Sequence, residues 1–99
     1  MTERYRIWHI PQVGYSPTFY ADVPNLVRAK QFLNLIAEYD LFQFENKIKP
    51  DYCSDQGVEV FDLEENEWVE WSDPNTCENI HDVGYLRLEQ IDDESNINY

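Results

Sequence analysis

Cys77 and His81 stand four residues apart, a spacing that puts two side chains on one face of a helix and suits part of a two-Cys, two-His zinc shell. Cys53 and His9 are the residues that could complete it. The segment between Cys77 and His81 carries Glu78 and Asn79, however, and the chain offers no second close pair of the Cys-x-x-Cys kind. Packed thiols beside an incidental histidine is the simpler reading, so no metal is expected. The same residues could form a nucleophilic Cys–His pair. A reactive thiolate needs positive charge beside it, and Arg87 is the single base after residue 50. A negative surrounding field opposes that chemistry.

Carboxylates are plentiful, but general acid–base work needs a cleft that separates the behaviour of two of them. Asp92-Asp93-Glu94 lacks the Asp-x-Asp-x-Asp-Gly loop of a calcium hand. Gly14, Gly57 and Gly84 are too far apart for a phosphate cradle. No cofactor and no catalytic residue is expected, so the chain reads as a binding protein rather than an enzyme.

The charge is what distinguishes it. Twenty acidic and seven basic residues leave a formal net charge of −13 in 99 residues. Residues 1–50 carry a net +1 and residues 51–99 a net −14. This sign repels nucleic acid and anionic membrane, and it attracts basic surfaces. A basic patch from Arg4, Arg6, Lys47 and Lys49 is the minor alternative. The acidity is densest in Glu59, Asp62, Glu64, Glu65, Glu67, Glu70 and Asp73, interleaved with Trp68 and Trp71. Residues on one face of a strand repeat at roughly 6.6–7 Å, close to the spacing of phosphates along a nucleic-acid strand. A stiff hairpin bearing carboxylates at that pitch could imitate DNA and occupy a basic groove, with one of the tryptophans as apolar anchor. Plain solubility is the competing reading.

The elements that must hold these residues follow from periodicity. Tyr5 to Ile10 is rich in β-formers and is stopped by Pro11. Thr18 to Ala21 reads as a short returning strand. Asp22 offers a helix N-cap ahead of Pro24. Leu26, Ala29, Leu33 and Ile36 then recur at helical spacing, giving an amphipathic helix over about 24–39. Leu41 to Phe44 could extend it or form a strand, and Pro50 bars any helix from passing. Val58 to Leu63 alternates, and Trp68 to Trp71 returns as its partner. Tyr85 to Leu88 reads as a last short strand, and residues 92–99 as a frayed acidic tail. The fold class is α+β: a small, mainly antiparallel sheet with one amphipathic helix packed on one face, forming one domain over residues 1–91. No run approaches the ~20 apolar residues of a membrane span and the N-terminus lacks a signal-type core, so the cytoplasm is the expected location and reduced thiols the expected state.

Four phrases carry a resemblance: Trp8-His9-Ile10-Pro11-Gln12-Val13, Tyr39 through Asn46, Ile48-Lys49-Pro50-Asp51-Tyr52, and Trp68-Val69-Glu70-Trp71. Over residues 4–73 the chain resembles small acidic accessory proteins of bacteriophages and prophages, some labelled superinfection exclusion. The resemblance transfers no catalytic residue. It implies a phage protein that binds and inhibits or modulates a host protein with a basic surface, such as a nucleic-acid-binding defence enzyme of a restriction or CRISPR system. The alternative is a structural or assembly homodimer, joined through a strand edge, whose acidity serves solubility.

Overall fold

The computed structural model describes residues 4–11, 14, 17–47 and 55–97. Cys53 and the phrase from Ile48 to Tyr52 lie outside the described residues. Alternation sets the first strand, β1 (Tyr5–Ile10): Tyr5, Ile7 and His9 are buried, whereas Arg6, Trp8 and Ile10 are half-buried. A period of two is what a strand with one well-covered face requires. It pairs antiparallel with β2 (Phe19–Val23) on one side and β3 (Asp55–Asp62) on the other, and β3 pairs antiparallel with β4 (Glu67–Glu70). The sheet order is therefore β2-β1-β3-β4. Asn66, in the left-handed region at φ 55, helps close the four-residue turn between β3 and β4, a conformation asparagine tolerates. The Asp62 carboxylate steadies that turn by accepting from the backbone of Glu64 and Glu65.

Tyr5, Ile7, Val23 and Val58 form the core with Leu26, Ala29 and Leu33 of α1 (Leu26–Glu45) and with Leu88 and Ile91 of α2 (Tyr85–Ile97). Trp71, Ile80 and Val83 of the connecting segment complete it. Helix α1 thus packs on the inner face of the sheet, and α2 packs against α1. The α+β class holds, with a second helix beside the expected one.

One local expectation needs correction, and one open alternative is decided. The N-cap of α1 is Asn25, whose side chain accepts from the Arg28 N–H at 2.9 Å. Asp22 instead sits in β2 opposite Arg6. Val23 is buried in the sheet, and the proline after it favours extended backbone, so the chain leaves β2 later than the capping pattern suggested. At its other end α1 runs on through Leu41–Phe44 to Glu45, because no Gly or Pro interrupts it. Lys47, at φ 61, then takes the left-handed position that ends many helices.

The larger correction concerns the C-terminal region. Tyr85 to Leu88 is the first turn of α2 rather than a strand, and Asp92 to Ile97 continue that helix where a frayed tail was expected. A four-residue window cannot show a 3.6 period. Only across Leu88, Ile91 and Asp92, all buried, does the helical face emerge. Asp92 also has a structural task. Its two carboxylate oxygens accept from Leu26 N at 3.0 Å and Val27 N at 3.1 Å, placing negative charge on the positive end of α1.

A second carboxylate braces the segment before α2. Asp73 is buried and receives Arg87 Nε at 2.9 Å and Nη2 at 3.2 Å, with the Asn75 N–H at 2.8 Å. The Arg87 bond, followed by that backbone N–H, holds its carboxyl down to about 2.

Two outcomes follow. Asp92→Ala should cost about 1–2 kcal/mol in urea unfolding, with Asp92→Asn closer to the parent because one acceptor oxygen survives. A depressed carboxyl stabilises the fold fully above its ordinary value of 3.8 and ceases to do so as the pH falls through about 2. The stability gap between the parent and Asp73→Asn should therefore be widest near neutrality and close across that acid window.

Candidate interaction surface

Alternation sends the other half of each strand to the outer face of the sheet, away from both helices. Strand register lines up Asp22, Arg6, Glu59 and Glu70 across β2, β1, β3 and β4. Arg6 is the hub. Its Nε donates to Glu59 Oε1 at 2.7 Å. Its guanidinium carbon lies 4.0 Å from the centre of the Tyr20 ring and 4.3 Å from that of Trp68. Arg4 sits 5.3 Å from both the Phe61 and Trp68 rings, which meet edge to face at 5.3 Å. Tyr20, Arg6, Trp68, Arg4 and Phe61 thus form a continuous aromatic–guanidinium array, stiffened by cation–π attraction. Tyr20 is exposed, whereas Arg6, Phe61 and Trp68 are half-buried.

Trp8 lies next to this array and donates from Nε1 to Glu70 Oε2 at 2.9 Å. The indole crosses Gly57, its partner in the sheet. A Cβ at position 57 would come within 2.6 Å of Glu70 Oε1 and 2.8 Å of Trp8 Nε1, so the absence of a side chain there creates the channel for the bond. Burial raises the Glu70 carboxyl above its ordinary 4.5, helped by Glu59 and Asp55 and opposed by Trp8 and His81.

The nine residues singled out by charge and aromatic content do not share one face. Glu59, Trp68 and Glu70 belong to the outer face just described. Glu64, Glu65 and Glu67 are exposed at the β3–β4 turn and its exit, and Asp62 folds back onto that turn. Trp71 is buried in the core and Asp73 is locked to Arg87. Arg4 and Arg6 join the hairpin aromatics rather than a basic patch with Lys47, which ends α1. The residues missed from sequence are Trp8, Tyr20, Gly57 and Phe61. The shared parity of positions 4, 6 and 8 was the available signal, and it becomes informative only once β1 is known to lie against β3.

The histidines do other work. His9 is buried on the inner face, with Nδ1 at 3.0 Å from Gln56 Oε1 and Nε2 at 3.3 Å from Asp40 Oδ2. It ties β1 to β3 and to α1. Gln56 gives its amide N–H to the Leu33 carbonyl, which turns its oxygen toward the ring. His81 Nε2 lies 3.0 Å from the Gln56 carbonyl oxygen, and Cys77 is exposed in a turn at φ 64. Among the described residues, no group of three or more His, Cys, Asp or Glu side chains is placed to hold a metal ion.

Replacing Glu70 tests the electrostatics of this face. A raised carboxyl favours its protonated form in the fold, so its contribution is complete below 4.5 and is lost as the pH rises past the raised value. Glu70→Gln keeps an acceptor for Trp8 and removes the charge. It should equal or exceed the parent in stability near neutrality and lose any advantage in acid. Gly57→Ala should instead part Trp8 from Glu70, seen as a shift of the Trp8 indole N–H resonance.

Comparison with known proteins finds relatives in sequence. The family model described as superinfection exclusion gene product 17 matches residues 4–91, which include the whole sheet and most of α2. A superinfection exclusion protein of Salmonella phage P22 is 37% identical, the match covering 73% of this chain and 80% of that protein. No solved structure matches the chain. The chain belongs to the superinfection exclusion gene product 17 family.

Proposed function

We propose that this phage accessory protein acts in superinfection exclusion by binding a host protein through the outer face of its sheet, in the bacterial cytoplasm and without catalysing a reaction. The observation that carries the reading is the aromatic–guanidinium array of Tyr20, Arg6, Trp68, Arg4 and Phe61 on a face that neither helix covers. Tryptophan, tyrosine and arginine are the residues most enriched where binding energy concentrates, and here they are held rigid before any partner arrives. Rigidity lowers the ordering cost of association.

Charge has a separate part. Glu59 is spent on Arg6, Asp73 on Arg87, Asp62 on its own turn and Glu70 on Trp8. An even row of carboxylates imitating phosphates is not what the hairpin presents, so DNA mimicry loses its geometric basis. Asp22, Asp55, Glu64, Glu65 and Glu67 remain exposed at or near the rim of the outer face. They favour a partner with a basic surface, including an enzyme that handles nucleic acid, and they would speed encounter by steering. Among the described residues no helix is long and apolar enough to cross a membrane.

Capture from host lysate at low and high salt tests the division of labour. The pair Tyr20→Ala and Trp68→Ala should weaken the captured complex at least ~100-fold. Reversing Glu64, Glu65 and Glu67 to Lys should slow association and flatten its salt dependence while leaving dissociation nearly unchanged. A captured partner indifferent to both sets of substitutions would overturn the reading.

A further inference from the structure

The outer side of α1 carries a feature that the sheet surface does not use. Phe32, Leu35, Tyr39 and Phe42 follow one another at spacings of three, four and three residues, forming a single stripe. They are 43%, 62%, 58% and 52% exposed, and Tyr39 stacks on Phe42 at 6.2 Å. The core side of α1 is a different stripe, through Leu26, Ala29, Leu33 and Asp40. Bonds from α2 and the segment before it reach α1 at Leu26, Val27, Lys30 and Asn34, all toward its N-terminal half. A 20-residue helix spans about 30 Å, and the exposed stripe runs along the middle of it, from Phe32 to Phe42.

We propose that this stripe is a homodimer seam, in which α1 of one copy packs antiparallel on α1 of a second. Three observations select a second copy as the occupant. The spacing is that of the a and d positions of a coiled coil, and the order Phe-Leu-Tyr-Phe nearly repeats itself when reversed. With the two-fold axis between Leu35 and Tyr39, each Phe32 meets Phe42 of the other copy and each Leu35 meets Tyr39.

Charge is the second observation. The chain carries −13 overall, so copies must approach where acid is scarce, and the stripe has no charged side chain between Arg28 and Asn46. The same alignment sets Arg28 at one end beside Glu45 of the other copy, twice over. The third is area. About half of each of the four residues stays uncovered, so the stripe exposes on the order of 400 Å² of mainly apolar surface. Flanking Arg28, Gln31, Glu45 and Asn46 extend this toward the ~800 Å² per partner of a standard interface. Both helices are already folded, so no nucleation cost opposes the pairing. The strand edges are poorer candidates, since β4 is a four-residue edge bearing Glu67 and Glu70.

Glu38 of each copy flanks the axis and meets its own equivalent, which limits affinity and gives the proposal a distinctive signature. Sedimentation equilibrium of the full chain over roughly 10 µM to 1 mM should show reversible growth from monomer to dimer. Leu35→Lys, at an exposed position, should weaken it at least ~10-fold with unchanged circular dichroism. Arg28→Glu and Glu45→Arg should each weaken it, and together restore it, whereas Glu38→Gln should tighten it. A monomer at every concentration would overturn the seam. So would a dimer indifferent to Leu35→Lys, or one whose charge reversals fail to compensate. Sedimentation of the stripe with phosphatidylcholine–phosphatidylglycerol vesicles while the protein remains monomeric would equally overturn it, by assigning the surface to lipid. None of these results bears on the sheet face, whose partner is sought separately.

Discussion

The antiparallel pairing of β1 with β3 is where the nearly neutral half of the chain meets the acidic half, and the rest of the structure depends on that meeting. Fifteen carboxylates after residue 50 face one arginine in their own half, and an acidic hairpin of this kind would repel itself on folding. The register that sets Arg6 against Glu59 and Tyr5 against Val60 answers the repulsion on one face of the sheet and buries apolar area on the other. Arg6 then does more than neutralise Glu59. It stacks between Tyr20 and Trp68, so the salt bridge and the aromatic array share one guanidinium. Exposed ion pairs contribute little by themselves, but this one is partly shielded by rings on both sides.

The same economy appears at each carboxylate with a defined partner. Asp92 neutralises the N-terminal end of α1, Asp73 engages Arg87, Asp62 holds the β3–β4 turn and Glu70 takes the Trp8 N–H. Carboxylates that look like one acidic hairpin in sequence are divided by the fold into structural anchors and a rim. This division explains how the domain carries its charge and still packs. It also relocates the functional question from charge to the sheet face, where flat aromatic surface and rigidly held arginines coincide.

How far the sequence revealed this varies by element. Alternation in Tyr5–Ile10 and Val58–Leu63 identified β1 and β3, and the 26-29-33-36 spacing identified α1, because each signal is local and long enough to show its period. The strand assignment at Tyr85–Leu88 failed because four residues cannot distinguish the two periods, and Asp92 reads as tail composition until its contact with Leu26 is seen. Asp22 lost the N-cap to Asn25 through a tertiary demand, the burial of Val23. The candidate surface was the least readable. Tyr20, Trp8, Gly57 and Phe61 come from three strands and converge only through register, which no local pattern encodes. Trp68 and Trp71 divide as their opposite parity implies, Trp71 buried in the core and Trp68 half-buried on the outer face.

Hydroxyl-radical footprinting of the complex with its captured host protein tests the central claim most directly, because free and bound forms report each ring separately. If the outer sheet face makes the contact, Tyr20 and Trp68 become shielded on binding, Phe61 follows, and Trp71, already buried, does not change. Shielding confined to the α1 stripe or to the β3–β4 turn, with Tyr20 and Trp68 as reactive as in the free protein, would contradict it.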